Sequence, residues 1–273
     1  MTDPDISSAS QPAQSAVYRR YVQLQSICGE RFSDASANGL AGLLLTCVGF
    51  GIEGAELALA TAISGGTFLG IDPSTEHLKA AVRNGSCDFM VNTLDESLRV
   101  LKNELRKKKA LSVGLLGEAT AILPAMVDRG VQPDLLAEAS TPDNASERPY
   151  RPALDTLIER GAITIDELAP NNFPASGFVE VIWNAASLAD LRRMDALALQ
   201  QLPAGDVVRR RWMQHAPAYF HRQRPLQRVL GMNFEEVVRL ADVFKAAIST
   251  GEIQSPAALD WQTAEGSKRS VAL

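Results

Sequence analysis

Gly49-Phe50-Gly51-Ile52-Glu53-Gly54 carries the residue types and spacing that a phosphate cradle needs. Between a strand and a helix, the first glycine permits the tight turn and the second lets the backbone come close to a pyrophosphate. The third lets the helix sit against the strand. Asp72 closes the next apolar segment, at about the distance where a carboxylate meets the hydroxyls of an adenosine ribose. The pattern therefore assigns dinucleotide contacts to Gly49, Gly51, Ile52, Glu53, Gly54 and Asp72. A turn that needs glycine for packing alone accounts for the same three residues, so the motif leaves two readings open. Glu53 and Glu56 bear on that choice. Negative charge in a first helical turn suits the empty protein through the helix dipole and opposes an anion arriving at the same end.

Residues for other chemistries are sparse. Cys28, Cys47 and Cys87 are too few and too scattered for a disulfide framework or a zinc site, and Cys47 and Cys87 lie in apolar segments as small core residues would. No Ser-His-Asp arrangement and no metal-ligand spacing stands out, so no catalytic residue and no metal ligand is assigned. Arg209, Arg210, Arg211, His215, His221, Arg222, Arg224 and Arg228 make the region around Trp212 basic. A solvated helix face with arginine stems lying over aromatic rings explains that cluster better than an anion or partner site.

A glycine cradle works only if a strand delivers it and a helix leaves it. Leu40 to Val48 reads as that strand and Ala55 to Ser64 as that helix. Gly65-Gly66 turns into a strand Thr67 to Asp72, and Ser74 caps a helix that ends at Asn84 with Gly85 beyond it. Cys87 to Val91 is a short strand. Leu94 to Lys109 is a helix with Leu94, Leu98, Leu101 and Leu105 on one face. Ser112 to Leu116 is a strand, Ala119 to Arg129 a helix closed by Gly130, and Pro133 to Leu136 a further strand. An amphipathic helix from Val17 to about Phe32 precedes them all. This alternation predicts a Rossmann-like, doubly wound α/β fold: a mainly parallel sheet with helices on both faces. After a Pro- and Asn-rich loop from Ser140 to Arg151 come a helix at Ala153 to Arg160 and apolar segments at Ala162 to Ile165 and Phe178 to Trp183. The remaining third reads as mainly helical, packed on the same sheet or forming a small cap.

Composition fits this picture. The hydrophobic fraction is 46% and the charged fraction 22%, as in ordinary globular proteins. A net charge of −5 gives no reason to expect nucleic acid as a partner. The apolar run around Leu40 to Ile52 is too short for a membrane span, and the polar, acidic first residues do not resemble a secretion signal. A cytoplasmic protein is expected. Residues 1–15 and 264–273 are polar enough to read as disordered tails, leaving 16–263 as one domain.

The residues also carry a family resemblance. Leu43-Leu44-Leu45-Thr46 before the glycine loop, Gly54-Ala55-Glu56, Gly65-Gly66 and Gly85 resemble the NAD-binding domain of urocanate hydratase (urocanase). The most specific match is Leu111-Ser112-Val113-Gly114-Leu115-Leu116-Gly117, followed by Leu123-Pro124 and Arg129-Gly130-Val131-Gln132-Pro133-Asp134. It resembles the family's S-I-G-L-x-G-N-A and L-P-x-x-x-x-R-G-x-x-P-D. Arg160-Gly161-Ala162-Ile163-Thr164-Ile165-Asp166, Asn171-Asn172, Phe173-Pro174, Gly177-Phe178-Val179, Arg211-Trp212 and Ser249-Thr250-Gly251-Glu252-Ile253 extend the likeness more loosely.

The resemblance implies a domain that holds NAD⁺ as an electrophile for hydrating urocanate, where a generic dinucleotide fold would imply a dehydrogenase. It adds His77, Glu118 and Ala119 to the cofactor-side positions: His77 where the family has a basic residue, and Glu118-Ala119 where it has N-A. It also implies a homodimer. The flanking segments that form the family's core domain have no counterpart here, so a separate chain supplying that core is a conceivable partner.

The departures from the family fall on the reactive half. Its T-D-Q-T-S-A-H-D becomes Ala137-Glu138-Ala139-Ser140-Thr141-Pro142-Asp143, its G-N-A asparagine becomes Glu118, and its cysteine after G-F-V is absent from Glu180-Val181-Ile182-Trp183-Asn184-Ala185-Ala186. The R-D-H segment that follows the family's S-G-E-L is missing as well. The expectation is a urocanase-related nucleotide-binding protein that does not hydrate urocanate alone. A split urocanate hydratase and an NAD-dependent oxidoreductase are the alternatives.

Overall fold

Five short apolar segments separated by helices of nine residues or more leave the chain little choice but a sheet buried on both sides. The computed structural model describes residues 11–32, 39–139, 148–165, 177–254, 256–262 and 268–273. They divide into two compact units, one comprising Met1–Ala13 and Leu24–Pro170 and the other Gln14–Gln23 and Asn171–Leu273. The expected single domain over 16–263 is thus two units, because the later strands bury their apolar residues in a sheet of their own.

In the first unit, β1 (Leu44–Val48), β2 (Thr67–Asp72), β3 (Phe89–Val91), β4 (Leu111–Leu116), β5 (Leu135–Glu138) and β6 (Ile163–Thr164) form one sheet in the order β3-β4-β2-β1-β5-β6. All its pairings are parallel. The helices between are α2 (Ile52–Ile63), α3 (Thr75–Asn84), α4 (Leu94–Lys107), α5 (Ala119–Asp128) and α6 (Arg151–Glu159). From β1 the chain moves to β2, on to β3 at the sheet edge and back to β4 between them, then crosses to place β5 on the other side of β1. That reversal lies at the carboxyl ends of β1 and β5, the place where open α/β sheets bind ligands. One face packs Leu44, Val48, Leu69, Ile71, Val113 and Leu115 against leucines of α4, α5 and α6. Each fully buried leucine contributes about 1.5–3 kcal/mol. The expected caps form as written: Ser74 Oγ accepts from His77 N, and Gly85 ends α3 at φ 80°. Strand β5 begins two residues later than Pro133, because Asp134 first turns its carboxylate onto Leu44 N at 2.8 Å.

The second unit has β7 (Phe178–Ala185), α7 (Leu188–Gln201), α8 (Val207–Phe220), β8 (Gln227–Asn233), α9 (Phe234–Ser249), β9 (Ala257–Gln262) and β10 (Lys268–Ala272). Its strands make an antiparallel sheet ordered β10-β9-β7-β8. The C-terminal third therefore holds three helices and a sheet that helical periodicity did not announce. Lys268–Ala272, expected in a disordered tail, is an edge strand, since backbone pairing with β9 compensates for its polar side chains. The expected N-terminal tail also ends early. Helix α1 (Gln14–Arg31) starts at a buried Gln14.

Gln14 is buried because β8 is an edge that needs covering. Gln14 Nε2 donates to Gln227 O and Gln14 Oε1 accepts from Val229 N, both at 3.1 Å. Tyr18 Oη accepts from Gly231 N at 2.9 Å, Trp212 Nε1 donates to Val229 O at 2.7 Å, and Arg209 Nη1 donates to Gly231 O at 3.2 Å. Side chains of α1 and α8 thus take the backbone groups that a further strand would take. Of the expected basic cluster, Arg209, Arg210 and Arg228 are spent inside the unit, whereas His215, His221, Arg222 and Arg224 are exposed as a solvated face would be. Arg209 bonds Asp206 and Glu236, and Arg210 donates to Leu199 O and Leu202 O.

Arg228 lies in the core with a side-chain exposure of 2%, and Asp195 receives its Nε and Nη2 together with Trp183 Nε1. Removing one partner of a buried pair strands the other charge, at a cost of about 3–5 kcal/mol. Asp195→Ala should therefore lower the urea midpoint, followed by tryptophan fluorescence, by a matching amount. The double change Asp195→Leu with Arg228→Met should recover most of that loss.

Of the sequence expectations, residues 1–10, Ser140 to Asp143, Asp166, Asn171-Asn172, Phe173-Pro174 and 264–267 lie outside the described residues. No helix among the described residues is long and apolar enough to cross a membrane.

Candidate functional site

The glycine loop leaves β1 at its carboxyl end, and each glycine there answers a different question. Gly49 sits at φ 93°, a conformation that side-chain-bearing residues rarely adopt, and its N–H bonds Ile71 O at 2.8 Å. At Gly54 a Cβ would stand 2.3 Å from Gly49 O, so glycine is required for α2 to lie on the loop. Gly51 is constrained by neither effect. Its φ is −66°, and a Cβ added there would meet no described residue within 4 Å. Among the described residues the space above the second glycine is open, as a ligand backbone contact requires.

Gly51 is also the N-cap of α2, and no side chain caps that helix. The first four N–H groups of a helix lack intrahelical partners, and together with the dipole they favour an anion. Helices α3 and α4 are closed by Ser74 and Thr93, whereas α5 begins at Glu118 without a side-chain cap. Ile52 is 77% exposed in the first turn of α2, and the Glu53 side chain beside it also faces solvent. Glu53 can therefore swing away from the helix axis, so the expected repulsion of a phosphate is softened by water.

Asp72 is brought to this loop and buried there. Its Oδ2 accepts from Phe50 N at 2.5 Å and lies 3.2 Å from His77 Nδ1, and its Oδ1 accepts from Ser74 N at 2.7 Å. Its carbonyl accepts from Gly117 N at 3.1 Å, which draws in the start of α5 with exposed Glu118 and buried Ala119. Gly49 to Gly54, Asp72 and His77 thus share one hydrogen-bonded constellation. Glu118 joins it through the backbone of Gly117, not through its own carboxylate.

Sequence reasoning missed the residues that hold this constellation from below. The Phe50 ring packs edge-on against Phe68, with centroids 5.4 Å apart, and it fills the place where a Cβ on Gly70 would stand 2.2 Å from it. A glycine inside the buried strand Thr-Phe-Leu-Gly-Ile-Asp was the available signal, because interior strand glycines mark a close approach. The second omission is Glu138 at the end of β5, in register with Val48. It takes Tyr150 Oη at 2.9 Å on Oε1 and is paired with Arg148 through Oε2. This cluster stands on the far side of the chain reversal from Asp72.

Nothing in the described residues supplies an obvious nucleophile. Burial pushes the Cys28 and Cys87 thiols up to about 12, so both stay protonated at neutral pH. No group of three or more His, Cys, Asp or Glu among the described residues could hold a metal ion.

The roles of the three inner glycines separate in stability. Gly54→Ala and Gly70→Ala force an overpacked contact and should each cost about 1–3 kcal/mol in chemical denaturation. Gly51→Ala should stay within about 0.5 kcal/mol of the parent. Equal losses at all three would show that Gly51 is a packing residue too.

The geometry has a family counterpart. A model of the urocanase Rossmann-like domain matches residues 20–169, more than half of the chain and nearly all of the parallel-sheet unit, and the chain belongs to the urocanase family.

Proposed function

We propose that this chain is a urocanase-related NAD-binding protein that does not hydrate urocanate by itself. The observation that carries the nucleotide reading is Gly51, a glycine that neither its φ nor any described neighbour requires, at a helix start whose N-cap has no side-chain cap. Gly51, Ile52 and Glu53 would offer backbone N–H groups to the pyrophosphate, with Gly49 and Gly54 shaping the loop. NAD⁺, when bound, contributes an electrophilic nicotinamide ring.

Support for the second clause comes from where the reactive half would be built. The segment after Gly177 is strand β7, paired on both sides by β8 and β9, and its Trp183 is fully buried. Glu180 to Ala186, where the resemblance would place the reactive cysteine, contains none, and Ala139 after β5 offers no polar side chain.

Calorimetric titration with NAD⁺ tests the first clause. The parent chain should bind, and Gly51→Ala should weaken binding tenfold or more while leaving the unfolding midpoint in place. Equal affinities in the two proteins would sink the cradle reading. The second clause is checked optically: urocanate's ultraviolet absorbance should persist when the purified chain and NAD⁺ are added, and enzymatic depletion would overturn it.

A further inference from the structure

Acidic residues at the end of β2 in dinucleotide folds hydrogen-bond the ribose hydroxyls. A carboxylate that does so must keep acceptor positions turned toward the ligand. Asp72 has spent most of its positions on the protein. A carboxylate offers about four lone-pair sites, and here Ser74 N, Phe50 N and the His77 ring stand at three of them. The side chain is 4% exposed.

What those bonds connect explains why they are made. Phe50 lies between the first two glycines, so its N–H fixes the cradle's backbone, while its ring is seated against Gly70 and Phe68. Ser74 is the N-cap of α3, whose hydroxyl in turn holds His77 N, and His77 returns its ring to Asp72. The Asp72 carbonyl holds Gly117, at the loop from β4 into α5. A single residue therefore ties together the loops that leave β1, β2 and β4. Removing it would free the cradle, whatever the ligand's sugar.

Resting on the nucleotide reading above, we propose that this cradle recognises the pyrophosphate of its ligand without reading the ribose diol, and that Asp72 is a positioning residue that keeps the cradle in shape. The ligand class that follows is nucleoside diphosphates and their derivatives, with tolerance for the sugar's 2′ position. Asp72 acts on affinity through Phe50 N and the loop, so its loss weakens every pyrophosphate ligand by the same factor.

Calorimetry with ADP, 2′-deoxy-ADP and inorganic pyrophosphate tests this, on protein held well below its unfolding midpoint. The parent chain should bind ADP and 2′-deoxy-ADP within about threefold of each other. Asp72→Asn should weaken all three ligands by a common factor of about ten, the scale of a lost hydrogen bond to a charged acceptor. A merely structural residue would leave the affinity of the folded protein for pyrophosphate unchanged, and that result overturns the proposal. So does a parent chain that loses tenfold or more on removal of the 2′-hydroxyl, with the difference erased in Asp72→Asn. If Asp72→Asn does not fold, the parent's comparison of ADP with 2′-deoxy-ADP still decides. Failure of all three ligands to bind the parent would overturn the nucleotide reading itself, and this proposal with it.

Discussion

The carboxylate of Asp72, bonded to Phe50 N at 2.5 Å and Ser74 N at 2.7 Å, sets the shape of the loops at the carboxyl edge of the parallel sheet. Loops at the ends of parallel strands have no ladder partners of their own, so their backbone groups must find acceptors elsewhere. Here one buried acidic side chain supplies them for two loops, and its carbonyl serves a third through Gly117. Charge-assisted bonds of this kind are shorter and stronger than neutral ones. The Phe50 ring completes the constraint from the apolar side, because Gly70 leaves it a slot in β2. The loop is thus fixed by a polar tie at its amide and an apolar anchor at its ring.

The second unit solves a different problem with the same economy. An antiparallel sheet has edges, and an uncovered edge invites pairing with other chains. Gln14, Tyr18, Arg209 and Trp212 occupy the outward groups of β8, and the arginine is held in turn by Asp206 and Glu236. Arg209, part of a basic patch in sequence, becomes an internal connector.

Legibility from sequence followed the range of the interactions involved. Elements set by local pattern were readable: β2 as Thr67–Asp72, the Ser74 cap, the Gly85 stop, and the leucine face of α4. The three glycines were readable because strand, turn and helix lie within one short stretch. What stayed hidden depends on partners distant in sequence. Gln14 is polar and near the terminus, so composition placed it in a tail; only β8, more than two hundred positions away, explains its burial. Lys268–Ala272 is a strand because β9 pairs with it, whereas its polar composition read as disorder. Asp72 was legible as the end of β2, yet its protein partners could not be counted from its spacing alone.

That last gap bears on how a glycine fingerprint should be weighed. The motif predicts three reasons for glycine, and a turn retained only for packing needs two of them. Gly49 has the conformational reason and Gly54 the packing reason, so neither separates a working cradle from a relic of one. Gly51 bears on that choice, because no described residue lies where its Cβ would stand. Ile52 points the same way. Most of an isoleucine side chain is left in water at the first turn of α2, and burying it beneath a ligand would contribute up to about 1.5–3 kcal/mol. Against this stands Glu53, whose charge opposes a phosphate at the same helix end but is weakened by solvent. A ligand at this helix start would account for both Gly51 and Ile52, and the one charge that opposes it there is weakened by solvent.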